Sequence, residues 1–280
     1  MSHRVEECIR EAADAVLDCQ ALLITAGAGM GVDSGLPDFR GDEGFWRAYP
    51  PMKKIGVSFV DMANPAWFDR DPSLAWGFYG HRLNLYRDTR PHDGFRILHR
   101  WCRTKPAGAF IFTSNVDGHF QRAGFNASRV LECHGSIHHL QCSSACQSEI
   151  WDADDCTVTV DHETFRAAPP YPQCPNCGAV ARPNVLMFGD WSWVPHRSHD
   201  QESRFSSWLR ATDGLQTTVV ELGAGTAVPT VRLTSEDVAR RPRTTLVRIN
   251  PREAHGPPGV IGIPTGAFDA LRRIDDELSL

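Results

Sequence analysis

Four cysteines, Cys142, Cys146, Cys174 and Cys177, stand in two close pairs, one with three residues between its members and one with two, and 27 residues separate the pairs. Four thiolates spaced in this way suit tetrahedral zinc, whereas a redox dithiol needs only one pair. The stretch between them is polar, with Pro169-Pro170-Tyr171-Pro172 just before the second pair. It has too little apolar content to fold unaided, so the metal is expected to be structural and remote from any chemistry. Cys156, between the pairs, is expected to be a free thiol, and Cys8, Cys19, Cys102 and Cys133 to be small buried hydrophobes.

A second set of residues could hold a nucleotide. Gly27-Ala28-Gly29-Met30-Gly31-Val32 follows the apolar run Ala21 to Thr25 and begins like a dinucleotide fingerprint, in which glycines let backbone N–H groups approach a pyrophosphate. Its third position is Val32, and the acid expected about 20 residues on is replaced by Asp33 and Asp38 close by, so hydride transfer is weakly supported. Taken alone, a short glycine motif is more often a turn than a cofactor site. Asn115 and Asp117 end another apolar run, the place where α/β folds present polar groups to a ligand, although Asn-Val-Asp-Gly is also good turn chemistry. Tyr79 and Arg82, three apart, share one helix face, where a guanidinium fork and a phenol suit a carboxylate. An amphipathic pair would look the same.

The elements that must position these groups are legible in outline. Apolar residues at helical spacing from Val5 to Leu17 predict a surface helix, with Glu6 and Glu7 in its early turns. Continuous apolar runs at residues 21–25, 108–113, 217–222 and 244–249 predict buried strands, each delivering a polar loop to one edge of a sheet. Helical spacing at 92–103 and 198–209 lies between them, and a last helix, 268–278, is expected to close the sheet. Alternating strands and helices favour a doubly wound parallel, Rossmann-like sheet carrying an inserted small zinc-binding module. One large lobe is expected over 1–138 and 182–280, with the module at 139–181.

The continuation of the glycine loop, Gly31-Val32-Asp33-Ser34-Gly35-Leu36-Pro37-Asp38-Phe39-Arg40-Gly41, resembles the nucleotide-binding signature of the sirtuins, NAD-dependent protein-lysine deacylases. Thr113-Ser114-Asn115-Val116-Asp117-Gly118 is similar to their second motif and Cys133-His134-Gly135-Ser136 to their catalytic histidine segment. Arg182 to Asp190, Gly225-Thr226-Ala227 and Ile249-Asn250 resemble three further motifs, all in the family's order from about residue 20 to 270. The resemblance implies that NAD is consumed. The acyl oxygen of a modified lysine attacks C1′ of the nicotinamide ribose, nicotinamide leaves, and an alkylimidate proceeds to free lysine and O-acyl-ADP-ribose. His134 would be the general base and Asn115 its catalytic companion, ordering a water and the ribose. Gly27, Ala28, Gly29, Ser114, Asp117, Gly225, Thr226, Ala227 and Asn250 would bind NAD. Asp38, Phe39 and Arg40 would cover the nicotinamide ribose, with Phe39 excluding water. Phe188 and Gly189 would lie on the substrate strand. Tyr79 and Arg82 match the pair that recognises succinyl, malonyl or glutaryl groups. His138 and His139 are expected to be ordinary polar residues near the module.

The chain departs from that pattern at Gly31, Ser114, His119-Phe120 and Ala227, which keeps protein mono-ADP-ribosyl transfer or NAD hydrolysis open as a second reading. A third is a non-catalytic NAD or ADP-ribose sensor. The 280 residues are 41% hydrophobic and 22% charged, enough for a sizeable core and against disorder. Lys+Arg 29 against Asp+Glu 34 leaves a net charge of -5, which offers no grip on a phosphate backbone, so acyl-lysine proteins rather than nucleic acid are the expected partners. No apolar run approaches the 18 to 20 residues of a membrane span, and an odd nine cysteines without a secretory leader point to a reducing, cytoplasmic setting.

Overall fold

A computed structural model describes residues 2–37 and 41–279. The proposed ribose-covering residues Asp38, Phe39 and Arg40 lie outside the described residues. In chain order the structure has α1 (Ser2–Asp18), β1 (Ala21–Ala26), α2 (Gly29–Val32), α3 (Gly41–Ala48), α4 (Pro50–Lys54), α5 (Phe59–Met62), α6 (Trp67–Arg70), α7 (Pro72–Asp88), α8 (Asp93–Arg103), β2 (Ala109–Thr113) and α9 (His119–Arg122). There follow β3 (Val130–Glu132), β4 (Gly135–Cys142), β5 (Trp151–Asp152), β6 (Val160–Asp161), β7 (Arg166–Ala167), β8 (Ala181–Val185), α10 (His196–Ala211), β9 (Thr217–Leu222), α11 (Thr230–Ala239), β10 (Thr244–Ile249), β11 (Ile261–Ile263) and α12 (Ala267–Leu278).

The expected parallel sheet has six strands in the order β11-β10-β9-β1-β2-β3. The chain moves outward from β1 to β3, then returns to the other side of β1 at β9. That reversal opens a crevice beyond the carboxyl ends of β1 and β9, the position where such sheets bind ligands. All six residues of β1 are buried, because both sheet faces are covered. Leu22 and Ile24 pack with α1, α8 and α12, whereas Ala21 and Leu23 face α10 and α11. Each buried Leu or Ile contributes about 1.5–3 kcal/mol. Helix α12 therefore covers a face of the sheet instead of closing its edge, since β3 and β11 form the edges. Leu17 departs from the stripe read for α1 and is 65% exposed.

A buried ion pair sits inside this sheet. Arg248 on β10 donates from Nε to Glu221 Oε1 at 2.6 Å and from Nη2 to Glu221 Oε2 at 3.0 Å on neighbouring β9, and Glu236 of α11 accepts a further bond at 2.8 Å. Multiple partners of this kind are what permits a buried guanidinium.

A second assembly packs beside the sheet. Strands β5-β4-β8 form an antiparallel sheet and β6-β7 a small hairpin. Helix α7 starts where Asp71 Oδ1 accepts the Leu74 N–H at 3.1 Å and Pro72 occupies the first turn. The β6-β7 hairpin lies directly on it: a Cβ on Gly77 would fall 1.9 Å from the Phe165 carbonyl oxygen, so only glycine fits there. Phe45, Tyr49 and Phe78 join Ile137, Leu140, Val158 and Phe165 in one buried cluster. The polar module thus borrows its core from α3, α4 and α7.

Candidate active site

Residues from both assemblies meet at a cavity of about 650 Å³ in the crevice. Its floor is made by two loops that touch. Gly29 N–H donates to the Gly223 carbonyl at 3.1 Å, and a Cβ on Gly27 would come within 2.9 Å of Gly223 O and Ala224 Cα. The first glycine of the loop is therefore required by the close approach of the turn after β9. Gly27, Ala28, Ser114, Asn115, Asp117, Gly225, Thr226 and Ala227 all line the cavity, whereas Gly29 and Asn250 do not. Asn250 is fully buried behind the wall, donating to Ala224 O at 2.9 Å and accepting from the N–H groups of Arg252 and Glu253 at 3.0 Å. Its place is to shape the loop that presents Thr226.

At the end of β2, Thr113 Oγ1 accepts the Asn115 N–H at 3.0 Å, and Asn115 Nδ2 donates to Gly27 O at 3.0 Å. Asp117 is 6% exposed and accepts the His119 N–H through Oδ1 at 2.9 Å. His134 lines the same cavity, and burial pushes its imidazole below the usual 6.5, so it is neutral at pH 7 and able to accept a proton. Leu186 N–H donates to the His134 carbonyl at 2.9 Å, which anchors the segment after β8 against the histidine.

Phe188 also faces the cavity, while Gly189 lies just beyond, in a shallow neighbouring hollow that Phe188 shares. This turn is fixed from below by Arg182, whose Nη1 and Nη2 each donate to Asp190 at 2.8 Å, with both side chains fully buried. The side chains of Tyr79 and Arg82 reach the cavity from α7.

The four paired cysteines converge. Their Sγ atoms lie within 4.8 Å of one another, with Cys142–Cys177 at 3.7 Å and Cys146–Cys174 at 3.6 Å. A tetrahedron of 2.3 Å zinc–sulfur bonds has edges of about 3.8 Å, so the donors fit one zinc ion. Cys156 stays outside the cluster, and all nine cysteines are unbridged. Cys19 is buried as expected, but Cys8, Cys102 and Cys133 are only partly so.

A model of the Sir2 family matches residues 27–204. The chain belongs to the Sir2 family. A protein of Aeropyrum pernix named NAD-dependent protein deacylase is 31% identical over 186 residues, 66% of either chain. One of the same name from Leptospira interrogans is 33% identical over 171 residues, 61% of either chain. The match therefore spans just under two thirds of these relatives' own length. A Sir2 homologue–NAD complex has the same fold, with a TM-score of 0.69 at 22% identity and coverage of 96% of this chain and 93% of that one. A structure from work on the mechanism and regulation of Sir2 enzymes gives a TM-score of 0.68 at 26% identity and covers 98% of both chains.

Within this Sir2-family site, several contributors were not identified from sequence. Glu253 lines the cavity and accepts the Thr226 hydroxyl at 2.6 Å. Tyr86 lines it one helical turn beyond Arg82. His138, expected to be incidental, donates from Nε2 to the Asp117 carbonyl at 2.9 Å and so backs the site. His139 meets Asp152 at 3.2 Å and takes no part in it. His119 is fully buried, and neither ring nitrogen has a hydrogen-bond partner among the described residues.

Proposed function

We propose that this protein removes acyl groups from lysine side chains of proteins, consuming NAD and releasing nicotinamide, O-acyl-ADP-ribose and free lysine. The observation that carries the reading is the convergence, on one cavity, of the Gly27 loop, Asn115, Asp117, the neutral His134 and the α7 pair. The names of the relatives support it. NAD supplies an electrophilic ribose carbon and the acceptor of the acyl group.

The chain's own groups do the rest. His134 takes the proton of a ribose hydroxyl. Gly27 and Ala28 present backbone to phosphate, Gly29 pins their loop to Gly223, and Ser114, Gly225, Thr226 and Ala227, with Asn250 behind them, hold the nucleotide. Asn115 orients the ribose and its water, Asp117 holds the nicotinamide amide, and Asp38, Phe39 and Arg40 cover the reacting carbon. Phe188 and Gly189 bind the peptide. Cys142, Cys146, Cys174 and Cys177 hold a structural zinc in a module at 139–181, set on an NAD-binding lobe of 1–138 and 182–280. A reducing, cytoplasmic setting suits those thiolates. Among the described residues, no helix is long and apolar enough to cross a membrane.

Tyr79 and Arg82 favour acyl groups ending in a carboxylate. Tyr79→Phe and Arg82→Met are expected to lower turnover of succinyl peptides about tenfold more than that of acetyl peptides, the scale of one charge-assisted hydrogen bond. A panel of acetyl, succinyl, malonyl and glutaryl peptides, read by nicotinamide release, tests both levels of the proposal. Equal losses on all peptides would reject the carboxylate assignment. Gly31, Ser114 and Ala227, which all border the cavity with short side chains, favour a second reading, transfer of ADP-ribose to protein.

A further inference from the structure

We infer that Tyr86 is a third acyl-recognition residue, orienting Arg82 and donating a hydrogen bond from its hydroxyl to the distal carboxylate of the acyl chain. The inference rests on the acidic-acyl reading above and extends it to a residue outside the Tyr-x-x-Arg pair.

At 100° per residue, Tyr79, Arg82 and Tyr86 lie within about 60° of one another around α7. All three line the cavity. Arg82 donates to the Tyr86 hydroxyl twice, from Nε at 3.0 Å and from Nη2 at 2.8 Å. Two bonds from one edge of a planar fork to a single oxygen fix the plane of the guanidinium. The ring faces add to this, because Arg82 Cζ lies 5.2 Å from the centroid of Phe78, 5.7 Å from that of Tyr79 and 5.4 Å from that of Tyr86.

A phenol has two acceptor sites and one proton. Arg82 occupies the acceptor sites, so the remaining polar function of Tyr86 is donation. Among the described residues, no acceptor lies within hydrogen-bond distance of that proton, although Tyr86 is only 5% exposed. A buried donor in a cavity wall, without a protein acceptor, calls for an acceptor on the ligand. Beside a guanidinium, that acceptor is anionic. Burial raises the hydroxyl pKa of Tyr86 and pushes that of Tyr79 up to about 12, so both remain donors at neutral pH. The chemical class that satisfies a guanidinium and two phenols in the wall of this cavity is a short acyl chain with a terminal carboxylate.

The test compares the parent protein with Tyr86→Phe on three lysine peptides: succinyl, its terminal carboxamide analogue, and acetyl. KM and kcat are measured for each, with melting curves alongside. Tyr86→Phe is expected to raise KM for the succinyl peptide on the order of tenfold, with kcat far less affected, and to lower the succinyl-to-acetyl ratio of kcat/KM by about the same factor. The carboxamide-to-acetyl ratio should move less. In an Arg82→Met background, Tyr86→Phe should lower the succinyl-to-acetyl ratio little further, because both residues serve one carboxylate. A fall of equal factor on succinyl and acetyl peptides, or full additivity with Arg82→Met, would overturn the inference while leaving the acidic-acyl reading in place. If the parent protein turns over acetyl but not succinyl peptides, the reading itself fails and Tyr86 falls with it.

Discussion

His134 shows how a residue's surroundings set its chemistry. Burial disfavours the imidazolium, so the group that must be a base is less protonated than an exposed histidine at the same pH. If proton removal by His134 limits kcat/KM, the acid limb of the pH profile should lie below 6.5, the ordinary imidazole value, with full activity retained at pH 7. A limb above pH 7 would show that another group is titrating. His134, Asn115 and Asp117 were legible because each sits in a short motif that is local in sequence. Tyr86 and Glu253 were not, because their roles depend on which side chain faces them: Arg82 across one turn of α7, and Thr226 from a loop 27 residues away. Asn250 shows the converse. Its motif was legible, but its polar atoms are spent on Ala224, Arg252 and Glu253, a fact only the folded loop reveals.

Among the elements, the four long apolar strands were evident from their composition. The three-residue strands β3 and β11 are too short to show a period. The β4-β8 pair escaped for a different reason. Its register breaks between Ser136 and Leu140, and Pro183 sits opposite Leu140, a residue type that ordinarily argues against a strand interior. The pair nonetheless runs from Gly135, next to His134, to Cys142 of the thiolate cluster. Metal loss therefore has a route to the site through one strand. Treatment with a strong zinc chelator, or Cys174→Ser, is expected to release one equivalent of zinc and to lower the melting temperature by several degrees, since structural zinc contributes folding free energy directly. Measuring metal content and thermal unfolding on the same sample checks this. A chelator-treated protein free of zinc but with an unchanged melting curve would remove the metal from the folding account.

At the scale of the molecule, the doubly wound sheet followed from alternating element types, but the way the second assembly acquires its core did not. The module's own sequence is polar, and its apolar partners Phe45, Tyr49 and Phe78 precede it by about 60 to 95 residues. Burial also leaves a collective signature in the titration of the fold. Desolvation lowers the pKa of His81, His92, His119, His134 and His139, the last to about 4. Below pH 6.5 the unfolded chain binds these protons and the folded chain does not, so stability is fully present above that pH and declines toward the folded values, by about 1.4 kcal/mol per pH unit for each proton of difference. Urea unfolding should show a clearly lower midpoint at pH 5.5 than at pH 7.5, and coincident curves would contradict the burial of these rings as neutral groups. The central claim, consumption of NAD to deacylate lysine, is tested most directly by a mass balance on NAD labelled in its adenosine, incubated with an acyl-lysine peptide. The expected result is one nicotinamide, one deacylated peptide and one labelled O-acyl-ADP-ribose per NAD consumed, all lost in His134→Ala. Label retained on protein, or nicotinamide released with the peptide's acyl group intact, would contradict it.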